Sequence, residues 1–166
     1  MAALNPRTQE RILRTVDENE DRIVYFLREL ISFQSVTGRE KEIQDFITKR
    51  LEELSLAIDV WEPEPSELKK HPAYVEVEAG YDNRPNVVGT HKGVGNGRSL
   101  LLNGHVDVIP SGPLTAWEHD PWSGDIEGGK LYGRGASDMK SGLATMIMAI
   151  ELLFEAGIKP RGDIIL

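Results

Sequence analysis

The chain has 166 residues, enough for one domain with its own core. Its 19 basic and 27 acidic residues leave a formal net charge of −8, which argues against a nucleic-acid partner, since that requires a basic face. With no cysteine there are no disulfides and no thiolate metal site, so any metal must be held by His, Asp and Glu.

The opening stretch, MAALNPRTQERILRTVDENE, has many charges and no apolar core region, unlike a signal peptide. No apolar run approaches the roughly 20 residues of a membrane helix. A cytoplasmic protein with neither a membrane nor a nucleic-acid partner is the expectation. Asn5 before Pro6 predicts a helix start, a cap followed by proline at the first helical position, continued by Ile12, Leu13 and Val16. Ile23, Val24, Phe26, Leu27, Leu30 and Ile31 then recur at helical spacing. SVTG breaks that helix. Thr37 with Glu40 three residues on has the form of a capping box, and the helix it would open carries Ile43, Phe46, Ile47, Leu51 and Leu54 on one face. All three stripes read as core packing.

AIDVWEP predicts a strand closed by Pro63 and Pro65. The segment from SELKK to DNRP reads as a surface excursion. NVVGTHKG and SLLLNGHV predict two strands, the second apolar enough for a sheet interior. Between them KGVGNGRS lacks the strand-to-helix setting of a phosphate cradle and reads as a hairpin turn joining the two. DIEGGKLYG predicts a second hairpin with Gly128 and Gly129 at its tip. SDMKSGLATMIMAIELLFEAG is apolar nearly all round, which predicts a buried helix against a sheet, ended near Gly157. KPRGDIIL starts one more strand. Helices and strands alternating in this way predict an α/β layered domain, and an ending on DIIL suggests a fragment.

In a strand, residues i and i+2 face one side, so His105 and Asp107 would project together beyond SLLLNG. A carboxylate on one imidazole nitrogen fixes the tautomer and makes the other nitrogen a better metal ligand. Ligand sites of open α/β sheets gather beyond the carboxyl ends of strands. By itself H-x-D is a weak signal and reads first as a strand-end histidine held by a nearby acid for structural reasons. Asp138, just before the long helix, reads in isolation as an N-cap. The small residues Gly133, Gly135, Ala136 and Ser137 crowd the approach to it, and a carboxylate there could bridge two cations about 3.5–4 Å apart.

Three stretches in order, GHVDVIP, WEHDPWSG and GKLYGRGASDMKSG, closely resemble the amino-terminal half of the dinuclear zinc amidohydrolases and metallopeptidases, the family of acetylornithine deacetylase, succinyl-diaminopimelate desuccinylase, aminoacylase and carboxypeptidase G. The resemblance covers essentially the whole chain. It implies a layered αβα zinc-exopeptidase-like catalytic domain, incomplete here, with residues 1–166 as its amino-terminal portion. His105 matches a ligand of one metal, and Asp138 the bridging ligand. Asp107 matches the carboxylate of the catalytic set that orients His105. The Asp138–Met139 peptide is expected to be cis. Trp117, Pro121 and Trp122 match an aromatic loop beside the site. The implied cofactors are two zinc ions, or cobalt. The implied reaction is hydrolysis of the amide bond of an N-acylated amino acid or related small molecule.

Other parts of the family pattern fall outside these 166 residues: a Glu-Glu pair supplying the general base and a ligand, a further acidic ligand, a second His, and a smaller lid domain that dimerises. The chain therefore holds two of five expected protein ligands and is expected to be inactive alone, with a homodimer formed only through the lid of a full-length form. IDVWEPEPSELKKHPAYV is also similar to relatives that deformylate a formylamino pyrimidine in thiamin salvage, the alternative substrate. A non-catalytic truncated family member is the rival class. Among the remaining candidates, His71 reads as surface and His91 as half-exposed. His119 in WEHDPW looks like a site, but the matching position is usually not a family ligand. Arg134 reads as a structural ion pair, Lys140 as an ordinary residue near the helix start, and Met146 and Met148 as core.

Overall fold

The computed structural model describes residues 5–166, so the first four residues of the opening stretch lie outside it. In chain order the elements are helices α1 (Pro6–Asp17), α2 (Glu20–Ser32) and α3 (Lys41–Glu53), strand β1 (Ala57–Trp61), the short α4 (Pro65–Leu68), and strands β2 (Asn86–His91) and β3 (Leu100–Leu101). A small hairpin follows, β4 (Ile126–Glu127) and β5 (Lys130–Leu131), then helix α5 (Ser141–Glu155) and strand β6 (Ile164–Ile165). The α/β class is borne out, and no helix among the described residues is long and apolar enough to cross a membrane.

The amino-terminal helix forms as its sequence dictates. Asn5 Oδ1 accepts from Arg7 N at 3.0 Å, and Pro6 occupies the first turn, where its missing N–H costs nothing. Its apolar stripe is not core, however. None of its residues is buried and Leu13 is 55% exposed, because α1 lies outermost, against α5. The second and third stripes do reach the core, through Phe26, Leu30 and Ile31 in α2 and Ile43, Ile47 and Leu51 in α3. Phe26 stacks on Phe46, joining the two helices, and α5 adds Leu143, Ile147, Met148, Ile150 and Leu152 to the same cluster. The one acid in that buried surface, Glu151, is paired: Arg22 of α2 and Arg50 of α3 each take one of its oxygens.

The expected capping box is not made. Thr37 Oγ1 donates instead to Asp107 Oδ2 (3.0 Å). The buried Glu40 carboxylate accepts from Gly38 N and from Arg84. That Glu40–Arg84 pair pins the far end of the 66–85 excursion to the start of α3.

The four-stranded sheet has the order β1-β2-β6-β3, with β2 antiparallel to both neighbours and β3 parallel to β6. The glycine-rich loop is thus not a hairpin turn between paired strands, since β6 lies between β2 and β3. Its backbone wraps the entry to β6: Val94 N donates to Pro160 O, and Gly95 N and Gly97 N to Arg161 O. The approach is so close that a Cβ on Gly162 would stand 2.1 Å from Arg98 O. A further correction follows from the same order. Among the described residues β3 is an edge strand, and Leu100 and Leu101 are exposed rather than interior. The second predicted hairpin does form, with Ile126 opposite Leu131 and Glu127 opposite Lys130.

Candidate metal centre

Hydrogen-bonded strand β3 ends at Leu101, short of His105, and the in/out alternation appears only from His105 on. Val106 and Val108 are buried while His105 and Asp107 face outward. Val108 forms a parallel bridge with Val36, and its N–H donates to Ser35 O (2.9 Å). Ser35 Oγ, itself buried, donates to Val106 O (2.7 Å). The segment after α2 therefore holds the His105–Asp107 stretch extended beyond the sheet. Behind it, a Cβ on Gly104 would press on Met139, Leu143 and Met146, in keeping with the close backbone approach at this glycine.

Asp138 arrives from the other side in a wide turn, Ala136–Lys140, where Asp138 and Met139 leave helical geometry and the Asp138–Met139 peptide is cis, as expected. Gly135 opens that turn at φ +78°, and a Cβ there would stand 2.4 Å from Val108 Cγ1, so glycine is required on both counts. Asp138 caps nothing.

His105 and Asp138 meet. Nε2 of His105 lies 3.0 Å from Asp138 Oδ1. Nδ1 lies 3.0 Å from the Asp107 backbone oxygen and 3.1 Å from its Oδ1, and Thr37 steadies the other carboxylate oxygen. The His105 N–H also reaches Met139 Sδ at 3.4 Å, tying the two halves at backbone level. Burial alone would push the imidazole pKa down. The Asp138 hydrogen bond, the Asp107 backbone and both carboxylate charges outweigh it and hold the pKa above the ordinary 6.5. With Nδ1–H donated to Asp107, Nε2 presents its lone pair to a carboxylate, an arrangement stable only when a proton or a cation is shared between them. The donor set of imidazole and carboxylate suits zinc or a similar divalent ion. Both groups are open to solvent, Asp138 at 87%, and they line a cavity of about 340 Å³ with Asp107, Arg134 and Gly135. Among the described residues no group of three or more such side chains is placed to hold a metal, so these residues bring two facing donors and an orienting acid.

Two other residues depart from their readings. Lys140 is not an ordinary residue near a helix start. It is fully buried, its ammonium donates to Phe33 O (2.7 Å), and desolvation pulls its pKa down to about 8. Arg134 forms no ion pair among the described residues. Its guanidinium lies 4.9 Å from the Trp117 ring centre. The remaining histidines are occupied elsewhere. His119 sits between Asp125 and Glu127 and stacks on Tyr132, His91 packs on Phe154, and His71 is exposed. The roles of Ser35 and Thr37 had no signal in the sequence beyond a cap motif, because their partners lie 71 and 70 residues away.

Known proteins resemble this chain in sequence and in fold. A model of peptidase family M20/M25/M40 matches residues 101–166, the stretch that carries His105, Asp107 and Asp138. The chain is 37% identical to N-formyl-4-amino-5-aminomethyl-2-methylpyrimidine deformylase of Bacillus subtilis over 92% of its own length and 33% of that protein's. It is 37% identical to succinyl-diaminopimelate desuccinylase of Leptothrix cholodnii over 83% of its length and 32% of that protein's. Its fold matches an M20 family metallo-carboxypeptidase from Sulfolobus solfataricus with a TM-score of 0.69 at 22% identity, over 88% of this chain and 30% of the other. The family resemblance read from the sequence is thereby shown: the chain matches the amino-terminal part of peptidase family M20/M25/M40 members, and these relatives are hydrolases. It spans about a third of the length of the curated relatives it matches.

Proposed function

We propose that residues 1–166 are the amino-terminal portion of the catalytic domain of a metal-dependent amide hydrolase, with His105 and Asp138 as metal ligands and Asp107 as the orienting acid. The observation that carries this reading is the 3.0 Å approach of His105 Nε2 to Asp138 Oδ1 while Asp107 occupies Nδ1. A pair of zinc or cobalt ions held there would supply Lewis-acid polarisation of the scissile carbonyl. Asp107 keeps the Nδ1 proton and so leaves Nε2 as the electron-pair donor. Asp138 meets His105 through one oxygen and is largely exposed, so its other oxygen would be open to a second cation. The buried valines on either side of Asp107 keep the pair from turning inward.

The substrate class is an N-acylated amino acid or related small molecule, supported by the desuccinylase similarity. A formylamino pyrimidine is the second reading, and the similarity to the Bacillus subtilis deformylase over 92% of the chain favours it. The 166-residue chain alone is proposed to be inactive, since two ligands and no general base do not complete the chemistry. A full-length form would act in the cytoplasm and dimerise through a lid domain. The test is a cobalt titration of the 166-residue chain, followed by its visible absorption. Wild type should bind, while His105→Ala and Asp138→Ala should not. Equal binding by all three would remove the assignment. Assays on N-acetylornithine, N-succinyl-diaminopimelate and the formylamino pyrimidine, with and without chelator, should show no turnover by this chain. Metal-dependent turnover of any of them would overturn the claim of inactivity and would choose the substrate.

A further inference from the structure

We propose that Lys140 is a positioning residue that sets Asp138 against His105 by tying the 136–140 turn to the segment that also holds His105 and Asp107. This rests on the reading of His105 and Asp138 as metal ligands. Residues 33–37 serve as a common reference for both halves of the site. On one side, Ser35 bonds Val106 and Val108, and Thr37 bonds Asp107. On the other, the Lys140 ammonium donates to Phe33 O, the one side-chain hydrogen bond among the described residues that joins the turn to this segment. Phe33 ends α2, where the helix dipole favours a cation. The lysine stem runs beneath the turn, with Cδ 3.4 Å from where a Cβ of Gly135 would be. The ammonium lies 5.8 Å from the Trp122 ring centre. Lys140 N also closes the turn onto Gly135 O (2.9 Å).

The side chain is at 0% exposure, so its surroundings are settled within these residues. No carboxylate pairs with it among them. Burying an ammonium on a single carbonyl is costly, and a methionine would fill the same space without that cost. A charge at such a place, two residues from Asp138 in the same turn, serves alignment rather than stability.

The experiment compares wild type with Lys140→Met in the 166-residue chain by thermal melting, amide hydrogen exchange and cobalt titration. The variant should melt at or above the wild-type temperature. Its amides in the 136–140 turn should exchange about tenfold faster, and its cobalt dissociation constant should rise about 10- to 100-fold, the usual effect of losing an outer-shell partner. Unchanged exchange in the turn would overturn the proposal. So would a loss of affinity that merely follows a fall in melting temperature, or loss of the fold, since the ammonium would then be structural. If wild type takes up no cobalt, the metal-centre reading fails and the exchange comparison still decides the role of Lys140.

Discussion

At Glu155 one arginine sets a pH dependence. Arg22 donates to both oxygens of this carboxylate and holds its pKa below the ordinary 4.5, against a smaller opposing effect of burial. A carboxylate whose folded pKa is depressed stabilises the fold above its unfolded pKa, and that stabilisation is lost as pH falls through the folded value. Urea unfolding of wild type and Glu155→Gln should therefore differ at neutral pH, and the difference should shrink steadily as pH falls below the ordinary carboxylate range. A difference that persists or grows in acid would contradict the pairing. His105 shows the same logic with opposite sign. Its raised pKa reports two acids around one ring, and a divalent cation would take the place of the proton they favour.

Among the elements, α5 is the hub, and its cohesion depends on a buried acid. Glu151 joins α2 and α3 through Arg22 and Arg50, and Arg50 also lies over the Phe26 ring. Glu151→Ala would take a shared partner from two cations, leaving Arg22 with Glu155 alone and Arg50 with Glu53 alone. Arg22 is 45% exposed and can turn to water, so the loss should be moderate, about 1–3 kcal/mol in urea unfolding. A cost near zero would show that the pairs add nothing. At the sheet, the insertion of β6 depends on Gly162. Gly162→Ala must push the backbone of Arg98 aside, which should cost about 1–3 kcal/mol. It should also expose the Leu100 and Asp163 backbone groups that bond there to hydrogen exchange. An alanine variant as stable as wild type would mean that this crossing is looser than described.

For the whole molecule, the proposed metal centre would link folding to metal uptake. A cation that binds only the folded chain stabilises it by about 2.7 kcal/mol at a hundred times its dissociation constant. Zinc or cobalt should raise the melting temperature of this chain, chelator should reverse the rise, and His105→Ala should abolish it. A rise that survives that substitution would place the ion elsewhere. The formal charge of −8 adds a general attraction for cations, so the substitution, not the rise itself, is the deciding result.

Local patterns were readable because their causes lie within a few residues. The cap at Asn5, the stripes of α2 and α3, the Gly128–Gly129 hairpin and the mostly apolar surface of α5 each follow from short-range spacing. His105, Asp107 and Asp138 are singled out not by local spacing but by the resemblance of the GHVD and SDMK stretches to a family, since each alone has a structural reading. Tertiary structure alone decided which strands pair, because β6 enters between β2 and β3 from far along the chain and turns a presumed hairpin into a wrap. It alone decided that Thr37 serves Asp107 rather than a helix end, that Lys140 is buried, and that the α1 stripe stays outside. The physical reason is common to all four. Burial and hydrogen-bond partners are fixed by which remote segment arrives, and a polar group takes the partner that desolvation leaves it, whatever its local motif favours.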